Sequence, residues 1–229
     1  DDLQLLSTYY LRIFKSPPSK LIKLFPDDVN GNRSIQGFIT KEIARAASKM
    51  LDKIVSISEI KSEDKYNDLV ELSLDSRINP WGWYVGEQSR GGFSDPKNKT
   101  TKKQPGERDL PIHDANKEIF CICEAFIYRK PAPAKDHLKK IFNYYHQRDT
   151  LVILVYDLED TVKSRKNWNK YLNSILPNTD FPKDFKFVSS VDVTREFGYQ
   201  NSAIKIVRSV HKNDTVLFHI FVTINYKVI

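Results

Sequence analysis

The sequence has only two cysteines, Cys121 and Cys123, and no apolar run near the ~20 residues needed to span a bilayer. Cysteines at i and i+2 of one strand cannot pair with each other, and C-x-C without further cysteines is not a zinc motif. We therefore expect two buried thiols in a core strand of a cytoplasmic protein that does not associate with membranes.

The motifs of several enzyme classes are also missing. There is no internal repeat, P-loop, Rossmann glycine pattern, His-rich metal motif or G-x-S-x-G elbow. The 229 residues, 40% hydrophobic and 28% charged, are typical of a globular protein, and the net charge of +7 suits a polyanionic partner. Because the sequence does not begin with Met, we expect a fragment whose upstream part is absent. An upstream domain or a partner protein is expected to regulate it.

Residues 106–126 (GERDLPIHDANKEIFCICEAF) have the pattern of a β-hairpin. Asp109 opens the first strand, and Glu124 lies within the apolar second strand after a turn rich in Asp and Asn. Strand alternation puts Ile122, Glu124 and Phe126 on one face. A carboxylate in an apolar strand is costly unless it is paired, and a divalent metal shared with Asp109 is one such partner.

The pattern Gly106-x-x-Asp109, followed by a Glu in an apolar strand, resembles the PD-(D/E)xK nuclease superfamily and its restriction-endonuclease-like fold. Upstream, Glu63-Asp64-Lys65-x-Asn67 resembles the helix that often carries a further acid in this superfamily. Trp83-x-Val85 resembles its short strand, and Gln88-Ser89-x-Gly91 the polar loop before the hairpin. The resemblance covers about residues 59–175 in the order α-β-β-β-α-β.

This resemblance implies metal-dependent hydrolysis of nucleic acid, with DNA favoured over RNA, in restriction or antiphage defence. It implies catalytic roles for Asp109, Glu124 and Glu63, and Mg²⁺ or Mn²⁺ held by Asp109, Glu124 and the backbone carbonyl of Cys123. The superfamily has Lys two residues after the Glu, where this chain has Phe126, so a cation must come from elsewhere. The candidates to fill that gap are Gln88, Lys102, Lys103, Arg129 and Lys140.

The alternative is a catalytically inactive relative that binds nucleic acid or a protein partner. In that case Glu124 pairs with a cation and Asp109 caps a turn. Lone His residues beside an apolar helical stripe, such as His137, are more often structural than catalytic, and Asp157 at a strand end is a weak candidate.

The long polar loop 86–106 is basic, and loops of this length are usually functional or disordered. It lies directly before the acidic hairpin, as a nucleic-acid cleft requires, although a solvated loop remains the alternative. The expected nucleic-acid contacts are Ser89, Arg90, Lys97, Lys99, Lys102, Lys103, Arg129 and Lys130.

Hydrophobic periodicity predicts an α/β fold, with a central mixed sheet of about five or more strands flanked by helices. We expect residues 1–58 to form an N-terminal helical segment and 59–229 a nuclease-like core that ends in a β-hairpin. The predicted helices are 38–54, 62–73, 134–146 and 160–176. The predicted strands are 83–85, 118–126, 150–156, 185–193, 203–211 and 215–226, besides the short strand that Asp109 opens.

Overall fold

The computed structural model describes residues 3–8, 16, 34–53, 62–86, 110–142, 150–200 and 202–227. Within them, seven strands form one mixed sheet with helices against it, which confirms the predicted α/β class. The helices are α1 (Ile35–Leu51), α2 (Glu63–Ile78), α3 (Pro131–Lys140) and α4 (Thr161–Lys170). The strands are β1 (Tyr84–Val85), β2 (Leu110–His113), β3 (Ile119–Ile127), β4 (Thr150–Asp160), β5 (Phe187–Asp192), β6 (Ile204–His211) and β7 (Val216–Asn225).

The strand order across the sheet is β1-β2-β3-β4-β7-β6-β5. The central strands β3, β4 and β7 run parallel to one another, and all other pairs are antiparallel. A parallel centre must be covered on both faces, which explains why β4 is a continuous apolar run rather than an alternating one. The carboxyl ends of β3 and β4 therefore meet at one edge of the sheet.

Two hydrophobic layers cover the sheet. Helices α1 and α2 pack on one face, against Cys123, Ala125 and Ile220 among others. Helices α3 and α4, with the π-helical turn Tyr171–Ile175, pack on the opposite face, against Ile122 and Phe126 among others. The two faces of β3 are therefore those that alternation predicted.

Helix α1 begins before the predicted position 38. Ser34 precedes it, and the Ser34 Oγ accepts a hydrogen bond of 3.1 Å from the Gly37 N–H, which caps the first turn. Within that turn, Gln36 Nε2 donates to the carbonyls of Val216 (2.8 Å) and Leu151 (3.2 Å). The side chain of Gln36 therefore links the start of α1 to β4 and β7 through hydrogen bonds.

The other helices also differ from the prediction at their ends. Helix α2 continues to Ile78, beyond the predicted residue 73, and ends where Asn79 and Pro80 begin a short 3₁₀ turn. Helix α4 ends at Lys170 because the chain widens there into the π-helical turn. None of the described helices combines the length and the hydrophobicity needed to cross a membrane.

Both cysteines are buried free thiols on β3, as predicted. Burial raises the pKa of the Cys121 thiol well above its ordinary value. A thiol kept protonated in an apolar layer is a poor nucleophile and a poor metal ligand. The two cysteines therefore belong to the hydrophobic core.

Candidate active site

The carboxylate of Glu124 is fully buried in the middle of β3, on the face covered by α3. Lys140 Nζ donates to Glu124 Oε1 at 2.8 Å, and His137 Nδ1 lies 2.9 Å from the same oxygen. Because a carboxylate oxygen can only accept, His137 must carry its proton on Nδ1. Glu124 Oε2 is buried and has no hydrogen-bond partner among the described residues.

Lys140 and His137 reach Glu124 from one face of α3. A spacing of three residues places side chains side by side on a helix, so both point at the same strand position. The ring of Phe126 stacks on the imidazole of His137, with centroids 4.7 Å apart and planes 17° from parallel. Phe126 thus packs against His137, and Lys140 brings a cation to Glu124 from α3.

Glu63 adds a second carboxylate from the first turn of α2. Its Oε2 accepts a 3.0 Å hydrogen bond from the Ile127 N–H, at the end of β3. Burial raises the pKa of Glu63; the Ile127 hydrogen bond and the nearby His137 lower it, and nearby Glu124 raises it again. Glu63 therefore lies within electrostatic range of Glu124 and His137.

Strand β2 begins beside this cluster. Leu110 lies opposite Cys123, the residue before Glu124, in the antiparallel pairing of β2 and β3. Asp109, which precedes Leu110 in the chain, lies outside the described residues, as does the catalytic candidate Gln88. The same holds for the predicted nucleic-acid contacts Ser89, Arg90, Lys97, Lys99, Lys102 and Lys103.

The described residues contain no group of three or more His, Cys, Asp or Glu side chains placed to hold a metal ion. They do supply Glu124 Oε2, an oxygen ligand with no hydrogen-bond donor in the described part of the chain. Carboxylate and carbonyl oxygens are the ligands that Mg²⁺ and Mn²⁺ prefer, so this oxygen fits such an ion.

The remaining predicted site residues are of two kinds, exposed cations and a buried carboxylate. Arg129 and Lys130 are exposed just after the end of β3, in reach of a large partner. Asp157 is buried near the end of β4, where Asn167 Nδ2 (3.1 Å) and the Glu159 N–H (3.1 Å) donate to it. Burial raises the pKa of Asp157, and these donors lower it. Asp157 therefore has a structural explanation.

The contact of His137 with Glu124 is the feature of this cluster that the sequence did not predict. Its i, i+3 spacing to Lys140 was the available signal, since any strand position that receives Lys140 also faces His137.

No family model matches this chain, and neither a curated protein nor a solved structure matches it.

Proposed function

We propose that this protein is a metal-dependent nuclease that hydrolyses phosphodiester bonds of nucleic acid. The observation that carries the proposal is the asymmetry of Glu124. One carboxylate oxygen is held by Lys140 and His137, and the other has no hydrogen-bond donor among the described residues. Burying a charge in this way is costly, and a divalent ion at the second oxygen offsets that cost.

Mg²⁺ or Mn²⁺ is the ion that fits these ligands. Glu124, Asp109 and the backbone carbonyl of Cys123 would hold it, and the pairing of Leu110 with Cys123 supports this set because Leu110 follows Asp109 in the chain. The bound ion would generate a water nucleophile and neutralise charge on the phosphate.

Three side chains of the cluster then have distinct tasks. Lys140 orients Glu124 and places positive charge next to the phosphate that undergoes attack. In the neutral tautomer that carries its proton on Nδ1, His137 has an acceptor at Nε2 that would take a proton from water. Glu63 fixes the end of β3 through the Ile127 N–H and adds a carboxylate that orders the attacking water.

By its resemblance to restriction-endonuclease-like proteins, the chain serves as an effector in restriction or antiphage defence, with DNA favoured over RNA. Two free cysteines suit the reducing cytoplasm, where we place it.

A second candidate function is a catalytically inactive domain that binds nucleic acid or a protein. The observation in its favour is that Lys140 and His137 already pair with Glu124, so the buried carboxylate does not need a metal. In that case the cluster stabilises the contact between α3 and β3 and does no chemistry.

Cleavage assays separate the two functions. Purified protein is incubated with supercoiled plasmid, linear DNA and RNA in Mg²⁺, Mn²⁺ or EDTA. Glu124→Gln, nearly isosteric, is compared with Glu196→Gln, which removes an exposed carboxylate far from the cluster in the sequence. We expect metal-dependent cutting that Glu124→Gln abolishes and Glu196→Gln retains. No cutting of any substrate with either ion would contradict the nuclease and favour the inactive domain.

A further inference from the structure

Helix α4 carries charge of one sign. Its sequence, TVKSRKNWNK, contains Lys163, Arg165, Lys166 and Lys170 and no acidic residue. The helix follows β4 directly and is capped by Asp160, whose side chain accepts from the Val162 and Lys163 N–H groups. Its first turn therefore lies at the carboxyl edge of the sheet, the edge at which Glu63 binds the end of β3.

A cleft of about 400 Å³ separates α4 from the end of β3. Three cations line it: Arg129 after β3, and Lys163 and Lys166 on α4. Asn167 adds an amide, and Glu159 is the single carboxylate among the lining residues. The cleft therefore offers hydrogen-bond donors and a net positive charge within a concave surface.

We propose that this cleft binds the phosphodiester backbone of nucleic acid and leads it to the cluster of Glu63 and Glu124. This inference rests on the proposed function, because it assigns a path to the substrate of that site. Ile127 connects the two places: its N–H binds Glu63, and the residue lines the cleft.

The cations of the cleft are available to a phosphate. Arg129 and Lys166 form no salt bridge within the part of the chain that the structure describes, although Lys166 lies near the exposed carboxylate of Asp160. Lys163 pairs with Glu159 at 3.2 Å and with Asp160 at 4.0 Å, but all three side chains are largely exposed, and exposed pairs of this kind are weak. Arg129 adds a planar fork of donors that matches two phosphate oxygens.

The spacing suits a continuous strand of nucleic acid. Glu124 and Ile127 are three residues apart on β3, or about 10 Å at the rise of a strand. Successive base pairs advance about 3.4 Å along the axis of a duplex. The cleft is therefore within a few nucleotides of Glu124 along a bound strand.

Phosphate contacts of this type are sequence-independent and sensitive to salt. Each contact contributes a slope of about −0.9 to the dependence of log affinity on log salt. Two contacts, from Arg129 and Lys166, would together contribute about −1.8. An anionic lipid surface also attracts cations, but a concave cleft beside a cluster of carboxylates favours a strand of nucleic acid.

The test measures binding in the full chain carrying Glu124→Gln, in EDTA, so that cleavage does not interfere. Fluorescence anisotropy follows a labelled DNA duplex, single-stranded DNA and an RNA duplex between 50 and about 200 mM salt, a range over which such contacts weaken measurably. Arg129→Ala with Lys166→Ala removes the two unpaired cations. The control, Lys183→Ala with Lys186→Ala, removes two exposed lysines near the start of β5. Phe187 pairs with His211, and Val210 pairs with Val216, so the start of β5 lies at the same edge of the sheet as the start of β7. The two lysines are therefore at the edge of the sheet opposite the carboxyl ends of β3 and β4.

We expect the cleft variant to bind at least tenfold more weakly and to lose about 1 to 2 units of salt slope, with the control unchanged. Equal affinity of the two variants, or no binding of any nucleic acid at 50 mM salt, would overturn the proposal. So would tight binding to phosphatidylserine vesicles without binding to nucleic acid. If cleft-dependent binding occurs but metal-dependent cleavage does not, the result contradicts the proposed nuclease activity and supports the proposed binding cleft. If cleavage occurs and the cleft variant binds and cuts normally, the result contradicts the proposed binding cleft and supports the proposed nuclease activity.

Discussion

Lys140 follows Glu124 by 16 residues and lies on a helix, yet its Nζ is 2.8 Å from Glu124 Oε1. The ammonium group therefore reaches the buried carboxylate from α3, across the contact between the helix and the sheet. Folding stability and cleavage rate should each respond to removal of the ammonium group that contacts this buried carboxylate, and substitutions can measure both responses.

Lys140→Met removes the ammonium group and keeps the length of its apolar stem. Glu124 then stays buried with His137 as its remaining hydrogen-bond donor, and we expect a loss of about 2 kcal/mol in the free energy of unfolding. Lys140→Arg should keep most of that stability, because a guanidinium group also donates to Oε1. Urea denaturation measures both, and equal stability of the two variants would show that the ion pair contributes nothing.

In the nuclease assay, Lys140→Met should lower the rate by about a hundredfold or more, the scale of removing one charge-stabilising donor. Lys140→Arg should retain part of the rate. Metal-dependent cutting that is unaffected by Lys140→Met would assign Lys140 to structure alone. The comparison is made at a temperature where all variants are folded by circular dichroism.

Glu63→Gln separates the charge of Glu63 from its hydrogen bond. The amide oxygen can still accept from the Ile127 N–H, so the end of β3 keeps its partner. Because burial raises the pKa of Glu63, its charged form is disfavoured in the folded chain, and the neutral amide should leave the melting temperature unchanged or raise it. Glu63→Ala loses the hydrogen bond and should cost about 1 to 2 kcal/mol. Both substitutions should lower cleavage; a drop in melting temperature for Glu63→Gln would count against this account.

Much of this arrangement could be predicted from the sequence. The apolar run of β4 required a strand covered on both faces, and alternation placed Glu124 on the face that α3 covers. What periodicity cannot provide is the register between α3 and β3, because that register is set by packing between distant segments. The partnership of His137 with Glu124 and the stacking of Phe126 on His137 depend on it, and so they were missed.

A chain of buried hydrogen bonds joins the π-helical turn to β6 and β7. His211 Nδ1 is 2.9 Å from the Phe185 carbonyl and must donate to it, so the neutral ring accepts at Nε2 from Ser209 (2.9 Å). Ser209 Oγ then accepts from His219 Nε2 (2.8 Å), which leaves His219 Nδ1 to accept from the Tyr171 hydroxyl (2.9 Å). With both imidazoles neutral, as burial favours, each N–H and O–H of the chain has an acceptor within it, and the Leu217 carbonyl is a second, longer acceptor (3.3 Å) for the Ser209 proton.

Ser209→Ala interrupts this chain in the middle. It leaves His219 Nε2 without its acceptor and His211 Nε2 without its donor, in a fully buried place. An unsatisfied buried polar group costs about 1 to 3 kcal/mol, and we expect a loss in that range from chemical denaturation. Ser189→Ala, at an exposed position of β5, is the matched control and should change stability by less than about 0.5 kcal/mol. Similar losses in both variants would mean that the buried chain is not the cause.

The same chain makes stability depend on pH. Burial lowers the pKa of both His211 and His219; the Phe185 hydrogen bond raises that of His211 in part, and nearby His211 lowers that of His219 further. A histidine whose folded pKa is lowered binds protons more readily in the unfolded chain. Its contribution to stability is therefore complete above the unfolded pKa of about 6.5 and is lost as the pH falls below it. Each histidine accounts for up to about 1.4 kcal/mol per pH unit until its folded pKa is reached.

Urea denaturation at pH 7.5 and pH 5.5 tests this dependence, and we expect a lower unfolding free energy at pH 5.5. His211→Gln removes one of the two titrating groups and keeps a polar side chain, so the difference between the two pH values should shrink by about 1 kcal/mol. His113→Gln removes a partly exposed imidazole on β2 and serves as the control. Burial of Asp157 raises its pKa, which favours the folded chain at low pH and opposes the histidines. If His211→Gln retains the full pH difference, the loss of stability in acid arises outside this hydrogen-bond chain.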